Sequence, residues 1–156
     1  MTHRMNAQAG PSVPRAAVVL GVGLGGFLDG IVLHQLLQWH HLVSSREPTD
    51  TVSGLELNTL WDGVFHAAMW LLVAVGVWLV WRAARAAGDS DWRRLVGWAL
   101  VGWGGFNVFD SVVNHWVLQL HHIRQGVDNE LAYDVAFFAL GLVLSAGGWL
   151  LQRRAG

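Results

Sequence analysis

Four long apolar runs constrain the fold of this chain more than any other feature of its sequence. They cover about residues 15–42, 57–82, 94–122 and 132–152. Each run is near or above the roughly 20 residues that a helix needs to cross about 30 Å of hydrocarbon. The chain is also 53% hydrophobic and only 13% charged, which is too apolar for an ordinary soluble domain. We therefore predict an all-α, polytopic membrane protein whose four helices lie in a lipid bilayer.

The placement of the arginines predicts how these helices are oriented. Most arginines lie in the N-terminal tail, between the second and third runs, or at the C-terminus, and only Arg46 and Arg124 lie in the other two loops. Under the positive-inside rule, we expect both termini to be cytoplasmic. Residues 1–14 are expected to be a disordered cytoplasmic tail, and residues 15–156 a single domain. The arginines form no basic stripe, so no nucleic-acid partner is predicted.

A thirteen-residue motif occurs twice in the sequence. Residues 29–41, DGIVLHQLLQWHH, and residues 110–122, DSVVNHWVLQLHH, are identical at seven of thirteen positions and share the pattern D-x4-H-x3-Q-x-H-H. This recurrence in a short chain indicates an internal duplication. We predict a four-helix bundle built from two tandem helix hairpins, about 15–82 and 94–152. Because the first and third helices run in the same direction, the expected symmetry is a pseudo-twofold axis along the membrane normal.

The second and fourth runs resemble each other more weakly. WDGVFH at 61–66 matches YDVAFF at 133–138 in its aromatic–Asp pair and in one phenylalanine, but Phe138 stands where the first copy has His66. On an α-helix with 100° per residue, the aspartate and histidines of each thirteen-residue motif share one side. An aspartate exposed to lipid near the helix centre costs at least about 2.5 kcal/mol, so these groups should point into the bundle. Close helix packing is expected at Gly21, Gly23, Gly25, Gly26, Gly102, Gly104 and Gly105.

This collection of imidazoles and carboxylates predicts a transition-metal site. The chain contains no cysteine, so its ligands would be nitrogen and oxygen atoms. Such ligands suit iron, copper or zinc, and inward histidines and carboxylates in a four-helix bundle can form a dinuclear site. The predicted ligands are His34, His40, His41, His66, His115, His121, His122 and Asp62. Residues expected to support these ligands or to carry protons are Asp29, Asp110, Asp134, Gln38 and Gln119.

Three functional classes are consistent with these residues. The first is a membrane oxidoreductase with a dinuclear metal centre and a redox partner. The second is a metal-handling protein, for example one that supplies copper to a respiratory oxidase. The third is a haem-b electron carrier with His34 and His115 as axial ligands. A metal-free proton or ion path and a purely structural Asp–His network remain open. We expect the site to close within one chain, because the duplication supplies both halves.

Three segments together resemble a known family. GLGGFLDGIVLHQLLQWHH, LWDGVFHAAMW and NVFDSVVNHWVLQLHH are similar to a bacterial family of predicted four-helix membrane proteins, known chiefly as a domain of unknown function. The resemblance covers the chain from about residue 15 onward and implies a small polytopic inner-membrane protein, without implying an activity. The short segment LHQLLQ is also similar to a copper-associated membrane assembly factor of bacterial cytochrome c oxidase.

Overall fold

The computed structural model describes residues 12–87 and 91–155. Four α-helices account for most of them: α1 Val13–Asp29, α2 Val52–Ala87, α3 Trp92–Asp110 and α4 Glu130–Arg153. Two π-helices continue the first and third of these directly, π1 Gly30–Leu36 after α1 and π2 Ser111–Val117 after α3. The all-α prediction is confirmed for the described residues. Of the predicted tail, residues 1–11 lie outside the described part of the chain, whereas α1 already begins at Val13.

Local sequence signals explain where three of the helices begin. Pro14 lies in the first turn of α1, where a missing N–H removes no helical hydrogen bond. The Asp91 side chain accepts a hydrogen bond from the Arg93 amide at 2.9 Å and caps α3. The Asn129 side chain accepts one from the Ala132 amide at 3.2 Å and caps α4. Each cap satisfies an amide that the helix itself leaves free.

Three segments are long and apolar enough to cross a membrane: Val13–Leu36, Val52–Ala86 and Glu130–Arg153. The helix α3 does not meet that criterion, since it carries Arg93, Arg94, Asn107 and Asp110 among its apolar residues. Its position explains this polarity. Because α3 packs between α1 and α4, its buried Asn107 and Asp110 side chains face protein.

The helices pack in the order α2, α1, α3, α4. The helix α2 packs on α1, the central pair is α1 and α3, and α4 packs on α3. The outer helix α2 also reaches across to α3, since the rings of Phe65 on α2 and Phe106 on α3 lie 6.3 Å apart. The arrangement therefore centres on α1 and α3, with α2 and α4 on its two sides.

Glycines bring the two central helices together. A Cβ atom at Gly21 would meet the backbone of Ala99, and one at Gly102 would meet the backbone of Val18. Only glycine allows the backbones of α1 and α3 to approach so closely at these positions. Gly105 was expected to take part in such packing, but a Cβ there would meet no described atom within 4 Å.

The first and third helices end earlier than predicted, at Leu36 and Val117 instead of near residues 42 and 122. Gln38 and Gln119 both have φ of 49°, a left-handed conformation that ends the helical path. The paired histidines that follow therefore lie in irregular segments, and the helical-wheel placement of these pairs was wrong. Both glutamines are exposed.

The two segments that follow the π-helices pair with each other. The Gln125 amide donates to the Trp39 carbonyl at 3.0 Å, and the Ser45 amide donates to the Leu120 carbonyl at 2.9 Å. The Arg46 guanidinium also donates to the Leu118 carbonyl at 2.7 Å. These contacts join the ends of the two central helices into one layer, which contains the paired histidines.

Candidate metal centre

The π-helices determine how the aspartate and the first histidine of each motif are placed. Asp29 and His34 are five residues apart, as are Asp110 and His115. In an α-helix, residues with this spacing point about 140° apart. In a π-helix, the hydrogen bonds join residues five apart, so the two side chains lie one turn above each other. Asp29 Oδ2 is accordingly 3.5 Å from His34 Nε2, and Asp110 Oδ2 is 3.1 Å from His115 Nε2.

Each motif adds its next histidine to this pair and forms a buried three-residue cluster. The first triad is Asp29, His34 and His40, and the second triad is Asp110, His115 and His121. Within each triad, one ligand atom from every residue lies within 4.8 Å of the other two. All six residues are buried. Each triad therefore places two imidazole nitrogens and one carboxylate oxygen around a common point.

The two triads are in direct contact. The ring centroids of His34 and His40 are 4.5 Å apart, those of His40 and His121 are 4.4 Å apart, and those of His121 and His115 are 4.8 Å apart. The central pair is stacked, with an interplanar angle of 6°. The four imidazoles thus form one continuous row across the interface between α1 and α3. Both halves of a single chain contribute to this row.

The two central histidines are oriented by backbone carbonyls from the opposite half. His40 Nδ1 donates to the Ile123 carbonyl at 2.8 Å, and His121 Nδ1 donates to the Leu42 carbonyl at 3.0 Å. A carbonyl can only accept, so Nδ1 carries the proton and Nε2 keeps its lone pair. Burial away from water also lowers the pKa of His40 well below its usual value, and the nearby His121 adds to this effect. His40 is therefore held neutral, as metal ligation requires.

The two outer histidines are oriented by carboxylates. His34 Nδ1 donates to Asp62 Oδ1 at 2.8 Å, and His115 Nδ1 lies 3.2 Å from Asp134 Oδ1. The hydrogen bond of His34 places a proton on its Nδ1, and the carboxylate of Asp134 favours the same arrangement for His115. Among the described residues, no hydrogen-bond partner is found for Nε2 of His34, His40, His115 or His121, and all four atoms are buried. The site therefore presents four imidazole lone pairs next to two carboxylates.

Asp62 and Asp134 bind further groups on the side away from the triads. Asp62 accepts from His41 Nδ1 at 2.6 Å and from the Leu42 amide at 2.9 Å. Asp134 accepts from His122 Nδ1 at 2.7 Å and from the Ile123 amide at 2.9 Å.

The structure arranges these residues differently from the assignment predicted from the sequence. The sequence had suggested Asp62, His41 and His122 as ligands, but the structure places them behind the rings that face the centre. The π-turn instead brings Asp29 and Asp110 beside the Nε2 atoms, where we had expected supporting groups.

His66 lies beside the first triad but is not part of it. Its Nδ1 donates to the Asp62 carbonyl at 2.7 Å, and its ring centroid is 6.3 Å from that of His34. Its Nε2 is buried next to Gly30, where any Cβ atom would meet the His66 ring. At the matching position of α4, Phe138 packs against Trp116, with ring centroids 5.2 Å apart. His66 thus makes the surroundings of the two triads different.

Several supporting residues were not identified from the sequence. The ring of Phe65 stacks on His34 with a centroid distance of 5.7 Å, and Phe137 stacks on His115 at 6.0 Å. These two phenylalanines could have been found from the sequence, because each lies three residues after the aspartate in WDGVFH and YDVAFF. The fully buried Asn58 accepts from the Val43 amide and donates to two carbonyls, and it thereby fixes the turn after His41. Nothing in the sequence distinguished Asn58 from an ordinary polar helix residue.

Comparisons with known proteins identify the family of the chain. No curated protein matches the sequence, and no solved structure matches it. The model of one protein family, described as "Predicted membrane protein (DUF2243)", matches residues 16–155 and therefore includes both triads. This match covers nearly the whole sequence, and the chain accordingly belongs to that family of membrane proteins.

Proposed function

We propose that the two triads bind two transition-metal ions and form a dinuclear centre within a membrane oxidoreductase. The observation that carries this proposal is the orientation of the four imidazoles in the row. Every Nδ1 lies near an acceptor oxygen, and every Nε2 is buried near Asp29 or Asp110 with no other polar partner among the described residues. This is the arrangement in which neutral histidines bind a metal through Nε2, with their other nitrogen held by a neighbouring group.

The free-energy cost of the unpartnered atoms favours a bound cation over a purely structural network. A buried polar atom without a hydrogen bond costs about 1–3 kcal/mol. Without a cation, His34 and His115 could pair with Asp29 and Asp110 only as protonated imidazoles, at 3.5 and 3.1 Å. The Nε2 atoms of His40 and His121 would together still cost about 2–6 kcal/mol. Metal ions would bind all four lone pairs and neutralise both carboxylates, so their presence accounts for the whole arrangement.

The ligand set favours iron. Two histidines and one carboxylate in each triad correspond to the facial triad of non-haem iron enzymes, which leaves coordination positions open for an exogenous ligand. Ligands about 2.1 Å from a metal lie roughly 3–3.5 Å from each other, so each triad would contract slightly around its ion. A redox role follows from the pairing of two such ions. Zinc and copper accept similar nitrogen and oxygen ligands, and metal analysis distinguishes the three.

The alternatives fit the geometry less well. A haem ligated by His34 and His115 would need a slot between these rings, but the stacked rings of His40 and His121 connect them. A carrier of cuprous copper would normally use soft sulfur ligands, and the chain contains no cysteine. We therefore place metal handling second and haem binding third.

We also propose how the protein lies in a bacterial inner membrane. At the end opposite the triads, arginines stack over tryptophans at about 5 Å, as in Arg82 over Trp78 and Arg153 over Trp149. Such pairs suit a membrane interface with cytoplasmic arginines. The two termini would then be cytoplasmic, all four helices would cross the bilayer, and the metal centre would lie toward the outer face.

We further propose that the two halves arose by duplication and are related by a pseudo-twofold axis along the membrane normal. The reciprocal bonds of His40 to Ile123 and of His121 to Leu42 support this relation, because they exchange equivalent positions of the two motifs.

The metal content of the purified full-length protein tests the proposed centre. We expect two equivalents of metal, chiefly iron, per chain. The variants Asp29→Asn and Asp110→Asn should each lose one equivalent, because each removes the carboxylate of one triad. Asp50→Asn, at an exposed loop carboxylate, serves as the matched control and should retain both. Two retained equivalents in both triad variants would rule out these ligands.

A second measurement separates an oxidoreductase from a metal-handling protein. An oxidoreductase should retain its metal during incubation with a chelator and should consume oxygen when supplied with a quinol. Rapid loss of the metal without oxygen consumption would favour metal handling.

A further inference from the structure

A polar cavity of about 680 Å³ lies next to the first triad. It is lined by Gln35, Gln38, Trp39, His40, His41, Thr49, Leu55, Thr59, Gln125 and Gly126. His40 belongs to the first triad, and the cavity therefore reaches the wall of the metal centre. Gln35 and Thr59 are exposed, so the cavity also reaches the protein surface. It connects the surroundings of the protein with the buried imidazole row.

The lining chemistry suits a hydrated cation in transit. Glutamine amides and threonine hydroxyls supply neutral oxygen atoms, and the described lining includes neither a carboxylate nor an arginine. Neutral oxygens can replace water molecules around a cation without holding it too tightly for release. A carboxylate in the lining would instead trap the cation, and an arginine would repel it.

His41 offers a nitrogen ligand in the wall of the cavity. Its Nδ1 is bound to Asp62 at 2.6 Å, so Nε2 is the nitrogen that remains for another partner. Its side chain is 15% exposed, whereas that of the adjoining triad residue His34 is 1% exposed. His41 thus lines the open cavity and is joined through Asp62 to the fully buried His34.

We infer that this cavity is the loading route for the metal centre, and that it transiently binds a hydrated divalent transition-metal ion, with His41 as its inner ligand. This inference rests on the proposed metal centre and adds where and in what form the metal arrives.

The second half of the chain differs at the corresponding positions. The thirteen-residue motifs align Gln35 with Trp116, and the Trp116 ring packs against Phe138. The weaker match between α2 and α4 aligns Thr59 with Leu131. Two hydrogen-bonding side chains of the cavity are therefore replaced by apolar ones. This difference indicates that both ions load through the first half.

The rate of cobalt uptake by the full-length protein, stripped of metal by a chelator, tests the route. In Gln35→Trp, which imitates Trp116, we expect uptake to slow by at least about tenfold, while the final stoichiometry stays at two equivalents. The matched control is Leu36→Trp, which adds the same ring at the neighbouring, highly exposed position and should load at the normal rate. Equal rates for the two variants would overturn the inference. Failure of every variant, including the unchanged protein, to bind cobalt would refute the proposed centre itself.

A chemical block provides a second measurement that does not depend on how a tryptophan packs. Because the chain contains no cysteine, Gln35→Cys and Leu36→Cys each introduce a single thiol. Both variants should load cobalt normally before modification. A bulky hydrophilic thiol reagent should then slow uptake in Gln35→Cys and leave Leu36→Cys unchanged. Normal uptake by fully modified Gln35→Cys would exclude the cavity as the route.

Discussion

Replacing Asp62 by asparagine tests the role of the carboxylates behind the imidazole row. Asp62 Oδ1 accepts from the Leu42 amide at 2.9 Å and from His34 Nδ1, whereas Oδ2 accepts from His41 Nδ1. The Leu42 amide can only donate, so the asparagine must keep its oxygen on that side. His34 then remains correctly protonated but loses a charged acceptor. The new amide group faces His41, whose ring must move its proton to Nε2.

We expect Asp62→Asn to fold normally but to bind metal more weakly at the first triad. Loss of a group that orients a metal-binding histidine typically lowers metal affinity by about 10–100-fold, which equals about 1.4–2.7 kcal/mol. Asparagine has nearly the shape of aspartate, and the side chain of Asp62 is only 1% exposed, so the packing should be retained. We therefore expect one of two metal equivalents to bind more weakly, while the thermal unfolding temperature of the metal-free protein changes little.

Cobalt titration of the purified protein, followed by absorbance, measures this effect. Asp134→Asn is the matched variant, because Asp134 Oδ1 accepts from Ile123 and faces His115, while Oδ2 accepts from His122. It should weaken the second site by a similar factor, and the double variant should weaken both. The reasoning is refuted if Asp62→Asn binds two equivalents with unchanged affinity. It is equally refuted if Asp62→Asn abolishes all binding in a correctly folded protein, since Asp62 would then be a ligand.

Two further variants test the turn and the asymmetry of the site. At Gln38, whose φ is 49°, a β-branched residue in the left-handed region should destabilise the protein by about 1–2 kcal/mol. Gln38→Val should therefore unfold at a lower temperature than Gln38→Gly, and equal unfolding temperatures would contradict this. His66→Phe, which copies Phe138, should retain two metal equivalents because His66 lies outside both triads. Loss of one equivalent on elemental analysis would instead make His66 a ligand.

The sequence predicted the helices better than it predicted their ends. Apolar length alone identified α1, α2 and α4, because a membrane requires about 20 apolar residues in each crossing helix. The same apolar character concealed the end of α1. Apolar Leu37, Trp39 and Leu42 continue the run past Leu36, yet Gln38 adopts a left-handed conformation that is uncommon for glutamine. Hydropathy carries no information about such a turn.

The residues of the site were recognised, but several of their roles were not. The duplicated motif identified all four imidazoles of the row, since its histidines recur at the same spacing. Asp29 was expected to have a supporting role because it lies deeper along the helix than His34, whereas the π-turn brings its carboxylate beside the His34 ring. The signal for the π-turn was present in the D-x4-H spacing, which occurs in both motifs. A five-residue spacing between two interacting side chains suits hydrogen bonds between residues i and i+5.

The reciprocal backbone contacts make the two copies of the motif depend on each other. His40 is oriented by the carbonyl of Ile123, and His121 by the carbonyl of Leu42, so each half fixes a histidine of the other. A single hairpin would provide an aspartate and two histidines, but the proton of its second histidine would have no defined acceptor. The ring could then present either nitrogen, and the triad would lose its orientation. Two copies satisfy both histidines at once, and the stacked pair of His40 and His121 follows directly from this exchange.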